Sequence, residues 1–375
     1  MRIPRTLAIV LAGGKGSRLG SLTDDTVKPA LPFAGPYRLI DIALSNLAHS
    51  HISDVWIAEQ YLPHSLNDHL AQGRPWDLDR LHGGLQVLAP FEGATGEGMA
   101  QGNSDTLWRH RERIRSFGAD HVLVLSADHV YTLDFLEVMA THTTSDADLT
   151  VVTTRVDEDP SSFSVVQVDD SGRVTDFDYK PDEPQGNLVA AEVFLYRAQT
   201  LLDALDELGG KTGGLGDYGE DLLPHLVSTR LVVEHRLDGY WRDLGTIDSY
   251  WRAHMEILDG NGATLDDPAW PIWTAQPQLV PARIEPEASV RGSMVSSGSR
   301  VSGSVEHSIL GPAVVVEEGA SVVDSVVLHG AHIGPGVELV RCVVATGARV
   351  VGGTRRGSED RVTLIGPDGT ITDRA

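Results

Sequence analysis

At 375 residues, with 41% apolar residues and a mean hydropathy of −0.11, the chain is long enough for two globular domains with a substantial core. Its formal charge of −23 and pI of about 4.9, spread as Asp and Glu along the chain, argue against binding to a nucleic-acid backbone or an anionic membrane. One cysteine, Cys342, excludes an internal disulfide framework and a cysteine-based zinc site. No apolar run approaches the roughly 20 residues of a membrane span, and the apolar stretch behind Arg2 and Arg5 is too short for a signal peptide, so a cytoplasmic location is expected.

Residues 1–258 alternate strands and helices. The apolar run Leu7–Ala12 has the length and content of a buried strand and breaks into Gly13, Gly14, Lys15, Gly16, Ser17 and Arg18. Glycines after a strand let backbone N–H groups approach a phosphate, and Lys or Arg supplies charge. The spacing is neither a Walker loop nor the dinucleotide fingerprint. Lys28 follows within one loop, so Arg18 and Lys28 could converge on one polyphosphate. Arg38–Ser50 reads as a helix, Asp54–Ala58 as a second strand, Ser65–Leu70 as the start of another helix, and Asp105–Phe117 as a helix with a basic outer face. The third buried strand, His121–Ser126, runs directly into Asp128; Asp134–His142 is a helix and Leu149–Thr153 a strand. This alternation predicts a mostly parallel sheet with helices on both faces, and ligands beyond the carboxyl ends of its strands. Gly13–Arg18 and Asp128 then share one edge.

Residues 259–281 are proline-rich and read as a linker. Over 282–352 apolar positions recur at steps near six (Ile284 and Val290, Val295 and Val301, Ile309 and Val315, Val327 and Ile333), the spacing of a left-handed parallel β-helix. The stretch 353–375 reads as a polar C-terminal tail. No H-E-x-x-H or G-x-S-x-G is present, and His64 and His69 do not share a helical face, so zinc and serine-hydrolase chemistry have no support.

The pattern LAGGKGSRL–LT–KPALPF–YRLIDIALSNL resembles the nucleotidyltransferase signature of the ADP-glucose pyrophosphorylase family, and the likeness runs through nearly the whole chain. The resemblance implies an α/β Rossmann-like catalytic domain followed by a β-helix. It also implies transfer of a nucleotidyl group from a nucleoside triphosphate to a sugar 1-phosphate. In that family's terms Asp128 and Asp243 would hold Mg2+, Arg18 would bind the β/γ-phosphates, Lys28 the transferring phosphate region, and Lys180 the phosphate of the sugar 1-phosphate. Leu11, Ala12, Gly13, Gly14, Gly16 and Gly102 would cradle the nucleotide. A homodimer or homotetramer would be expected.

The departures concentrate on the sugar side. Where the family has E-K-P this chain has Tyr179-Lys180-Pro181; S-M-G becomes Ala190-Ala191-Glu192, F-G-V becomes Phe163-Ser164-Val165, and G-T-A-D-A begins Gly102-Asn103. A lost hydrogen-bond partner in a sugar pocket costs about 1–3 kcal/mol. Tyr179, Ser164 and Glu192 therefore predict a changed acceptor, with the phosphate and metal residues kept. Phe91-Glu92 replaces a glutamine pair: Phe91 could stack on the base, and a carboxylate matches the donors of guanine better than adenine. Basic residues before K-P-A, used for activators in the family, are here Asp25 and Thr26. The leading specific expectation is GTP plus valienol 1-phosphate giving GDP-valienol in aminocyclitol antibiotic synthesis, by similarity to the valienol-1-phosphate guanylyltransferases. The alternatives are ADP-glucose synthesis, a non-catalytic regulatory subunit, and an acyltransferase centred on His307, His329 or His332.

Overall fold

The computed structural model describes residues 4–14, 16–60, 63–89, 100–212, 215–352 and 355–372. Phe91 and Glu92 lie outside the described residues.

The N-terminal domain is built on a nine-stranded sheet. Its parallel part is β1 (Thr6–Ala12), β2 (Asp54–Glu59), β3 (Gly84–Leu88) and β4 (His121–Ser126), with β1 between β2 and β4. β1, β2 and β4 are buried on both faces, which explains their apolar runs, whereas β3 at the edge exposes Gln86. Helices α1 (Leu39–His49) and α2 (Pro63–Leu70) precede and follow β2, and α3 (Asn103–Phe117) leads into β4. A short strand β5 (His129–Tyr131) follows β4, then α4 (Phe135–Thr144) and β6 (Leu149–Arg155). β7 (Ser164–Val168), β8 (Val174–Tyr179) and β9 (Leu188–Arg197) return antiparallel, β9 lying against both β4 and β6. Helices α5 (Ala198–Thr212) and α6 (Leu222–Thr229) lead to β10 (Val232–Arg236), parallel to β6. β11 (Trp241–Asp243) then pairs with β5, and α7 (Ile247–Leu258) closes the domain.

Residues 259–281 contain no helix or strand, yet they are strapped to the catalytic domain. The Trp270 indole donates to Asn46 Oδ1 at 2.8 Å, the Trp273 amide to Ser45 Oγ at 2.9 Å, and His49 lies against both indoles.

The C-terminal domain is a left-handed parallel β-helix of three five-stranded sheets. Val301, Val316, Ile333 and Val350 stack in one inward column, each fully buried. The boundary read at residue 352 falls inside the helix: Arg355–Arg356 pairs with Glu338–Leu339, and Thr363–Ile365 pairs with Cys342–Val344. A polar insertion breaks the six-residue spacing there, so the last coil is hidden in sequence but completed in space.

The two domains share a core in which Leu19, Phe33 and Tyr250 pack with Val326, Leu328, Val343 and Leu364. The histidines that suggested an acyltransferase have structural partners. His329 Nε2 meets the Gly35 carbonyl at 3.0 Å, His307 lies between Asp324 and Asp259, and His332 meets Glu317 at 3.0 Å.

Candidate active site

Three carboxyl-edge segments build the site. β1 runs out into Gly13, where a Cβ would lie 2.8 Å from the Gln60 side chain, and the chain reaches Gly16 in the left-handed region (φ 63°). The chain then turns through Ser17–Thr23, which carries exposed Arg18, and returns at Lys28–Ala30. β4 delivers Asp128 two residues beyond its last residue, Ser126, and pairing of β5 with β11 sets His129 opposite Asp243. Two aspartates far apart in sequence are thereby presented side by side.

Between them sits the Lys28 ammonium, 2.7 Å from Asp243 Oδ1 and 2.8 Å from Asp128 Oδ2, with only 7% of its side chain exposed. Burial opposes its charge, but the two carboxylates hold its pKa well above the usual lysine value. Burial would likewise raise the Asp128 carboxyl, yet Lys28 and His129 keep it well below the ordinary carboxylate range, and Ser126 Oγ donates to it. Buried His129 points Nε2 at Asp128, Asp243 and Glu192, at 3.7, 3.6 and 3.7 Å. Those carboxylates outweigh burial and raise its pKa. Gly245 closes this side: a Cβ there would lie 2.8 Å from both Arg18 Nη2 and Asp243 Oδ2, so Arg18 reaches the same cluster.

The opposite wall comes from the antiparallel strands. Ser164 starts β7, and Lys180 follows β8 with φ 49°. Its ammonium takes the Tyr179 hydroxyl as acceptor at 2.8 Å and lies 4.5 Å from that ring's centroid. The Tyr179 hydroxyl donates in turn to Asp217 at 2.7 Å. β9 changes register between Ala190 and Phe194, and Glu192 within this bulge has φ 55°. The bulge turns a side chain that regular alternation would direct elsewhere into the cleft. Arg18, Lys28, Asp128, Ser164, Lys180, Glu192 and Asp243 line one cleft with about 510 Å³ of empty space.

Leu11 and Ala12 are buried at the end of β1. Gly102 begins α3 against the loop before α6, where a Cβ would lie 2.3 Å from the Gly216 carbonyl oxygen. Reading the residues alone missed His129, Trp241, Asp217 and Tyr218. His129 adjoins Asp128 in SADHVY, and Gly216 and Gly219 flank Asp217-Tyr218; each was an available signal. Trp241 stacks edge-on against His129 and Phe163, and its indole N–H has no partner among the described residues.

Asp128, His129 and Glu192 place one ligand atom each within 4.8 Å of one another. The fit to a divalent cation is better judged from Asp128 and Asp243: both converge on one cation already, the Lys28 ammonium, and both offer the hard oxygen donors that magnesium takes.

A carboxylate pair at a parallel-sheet edge, ringed by arginine and lysines, defines an α/β enzyme of phosphoryl and nucleotidyl transfer. The family model described as "Nucleotidyl transferase" matches residues 7–260, and "GlmU-like, C-terminal hexapeptide" matches 277–362. The chain is 35% identical over 365 residues to the glucose-1-phosphate adenylyltransferase of Bacillus cytotoxicus, covering 96% of this chain and 97% of that one. It is 35% identical over 353 residues to the proteins of that name from Bacillus thuringiensis and Bacillus mycoides, covering 93% of this chain and 94% of each. The chain belongs to the nucleotidyl transferase family, as a sugar-1-phosphate nucleotidyltransferase of the ADP-glucose pyrophosphorylase type. No helix among the described residues is long and apolar enough to cross a membrane.

Proposed function

We propose that the chain joins a purine nucleoside triphosphate to a sugar or cyclitol 1-phosphate and releases pyrophosphate, with Mg2+ held by Asp128 and Asp243. The observation that carries this reading is the convergence of two carboxylates from separate strands on one buried cation, with Arg18 and Lys180 on either side. An acceptor phosphate oxygen attacks the α-phosphorus in line; the new P–O bond forms as the bond to the pyrophosphate oxygen breaks, without a covalent enzyme intermediate. Magnesium would supply neutralisation of the charge on the transferring phosphate. Arg18 binds the β/γ-phosphates, Lys28 faces the transferring phosphate, and Lys180, held by Tyr179, grips the acceptor phosphate. The backbone from Leu11 to Gly14, with Gly16 and Gly102, cradles the nucleotide. Ser164 and Glu192 face the acceptor ring.

ATP with glucose 1-phosphate is the first reading, since the relatives carry that activity in their names. A second reading, GTP with valienol 1-phosphate, is favoured by one observation: the ring-facing wall carries Glu192 on a strained bulge and Tyr179 beside the lysine. Action in the cytoplasm as a homodimer or homotetramer belongs to the same proposal, with Val280 and Ile284 exposed near the open first coil of the β-helix. The test is pyrophosphate release with magnesium across ATP, GTP, CTP and UTP against both acceptors. Best turnover of ATP with glucose 1-phosphate supports the first reading, and best turnover of GTP with valienol 1-phosphate the second. No turnover with any pair rejects catalysis and favours a regulatory subunit.

A further inference from the structure

Lys28 runs between the glycine loop and the aspartate pair. Its stem lies against the loop, where a Cβ on Gly16 would come within 3.2 Å of Lys28 Cβ. Its backbone is fixed by the turn Lys28–Ala30: the Leu31 amide donates to the Lys28 carbonyl at 3.1 Å, and Arg38 Nη1 to the Ala30 carbonyl at 2.9 Å. Only the head of the side chain reaches the aspartates, at 2.7 Å from Asp243 Oδ1 and 2.8 Å from Asp128 Oδ2.

The carboxylate oxygens are already committed. Asp128 Oδ2 and Asp243 Oδ1 accept from the ammonium, and Asp128 Oδ1 accepts from Ser126 Oγ. The fourth oxygen, Asp243 Oδ2, lies on the Gly245 side together with Arg18 Nη2. A divalent cation binds carboxylates through the same lone pairs, at about 2.0–2.1 Å for magnesium. An ammonium left beside it would add like-charge repulsion, weakly screened because the Lys28 side chain is only 7% exposed. The pair can therefore serve Lys28 or a metal ion, but not both together. A triphosphate resolves the competition, because its oxygens offer the ammonium charge-assisted hydrogen bonds in place of the carboxylates. With the stem already on the glycine loop, the head reaches a phosphate there by rotation of the side chain alone.

We propose that Lys28 is an internal counter-ion that competes with the divalent cation for Asp128 and Asp243, so that the pair becomes a metal seat when a triphosphate draws the ammonium away. This rests on the reading of those aspartates as the magnesium ligands, and adds when they are released to act as such. Until then the ammonium keeps two partly buried carboxylates paired.

The test measures Mn2+ binding to the full chain by electron paramagnetic resonance, without nucleotide. It compares wild type, Lys28→Met, Asp128→Asn and the Lys28→Met/Asp128→Asn double variant; Lys28→Gln replaces Lys28→Met if the latter does not fold. Lys28→Met should bind Mn2+ at least about tenfold more tightly than wild type, and the double variant should lose that gain. The chain has four lysines, Lys15, Lys28, Lys180 and Lys211, so NMR of isotope-labelled lysine follows Lys28 directly, its signal identified by its loss in the variant. Inorganic tripolyphosphate, added to wild type without metal, should shift that signal. Equal Mn2+ affinity in wild type and Lys28→Met, a gain that survives in the double variant, or an unmoved Lys28 signal would overturn the competition. A wild-type site lost in Asp128→Asn and unchanged in Lys28→Met would refute the competition while supporting the magnesium reading. Absence of Mn2+ binding in Lys28→Met would reject the aspartates as metal ligands, and the competition with them.

Discussion

Replacing Lys28 by methionine tests whether the two aspartates form one electrostatic unit. The side chain stays unbranched, loses its terminal ammonium and its charge, and leaves Asp128 and Asp243 facing each other with side chains 19% and 17% exposed. Removing one partner from a buried ion pair costs about 3–5 kcal/mol. At about 2–4 °C per kcal/mol for a domain of this size, Tm should fall on the order of 6–20 °C at pH 7. In wild type the Asp128 carboxyl is held below its ordinary range, so it contributes stability that is present above that range and lost only as pH falls through the depressed value. Without Lys28 the depression is gone. The deficit of the variant should therefore be largest at neutral pH and shrink as pH falls through about 4, where the carboxyl protonates. Magnesium should restore more of Tm in the variant than it adds to wild type, because it can replace the missing charge. Thermal unfolding by circular dichroism, at several pH values and with or without millimolar magnesium, reads all three effects. A Tm within about 2 °C of wild type, a deficit independent of pH, or equal magnesium shifts would show that Lys28 does not join the two aspartates into one electrostatic unit.

Three further outcomes follow from the same geometry. Glu192→Gly should be more stable than Glu192→Ala by about 0.5–1 kcal/mol, because both lose the carboxylate and only alanine keeps the left-handed strain; equal Tm values would deny strain at the bulge. Gly219→Ala drives a methyl into the Tyr179 ring, so acceptor KM should rise at least about tenfold while the far-UV spectrum stays native; unchanged kinetics would show that the loop has slack. His254 is fully buried, accepting from the Ala34 amide at Nε2 and facing the Tyr250 carbonyl through Nδ1, and burial lowers its pKa to about 4. A histidine kept neutral this way contributes stability above about pH 6.5 that is lost as pH falls toward about 4. The pH-dependence of unfolding should be shallower by about one proton in His254→Gln over that window, and parallel curves would contradict it.

Much of the site was legible where chemistry and local structure coincide. Leu7–Ala12 and Val122–Leu125 are continuous apolar runs because central parallel strands are covered on both faces, and each leads within three residues to a residue of the candidate site. Glu192 was legible as a change of chemistry but not as a bulge, since no glycine or proline marks the register shift between Ala190 and Phe194. Tyr218 and Asp217 lie in a connection between two helices, and only tertiary packing brings them under β9. The end of the β-helix was misplaced because its last coil is interrupted by a polar insertion and is recognised only by pairing with the coil before it. His307, His329 and His332 drew attention as titratable groups, yet each is held by a carboxylate or a backbone carbonyl in or beside the β-helix.

Asp128 and Asp243, with Lys28 between them, are proposed as the centre of a magnesium-dependent nucleotidyltransferase. The most direct measurement is pyrophosphate release by the purified full chain, with and without magnesium, for wild type, Asp128→Asn and Asp243→Asn. Magnesium-dependent turnover is expected in wild type, with a loss of at least about a hundredfold in kcat for each variant at native circular dichroism. Turnover without magnesium, or either variant retaining wild-type kcat, would contradict it.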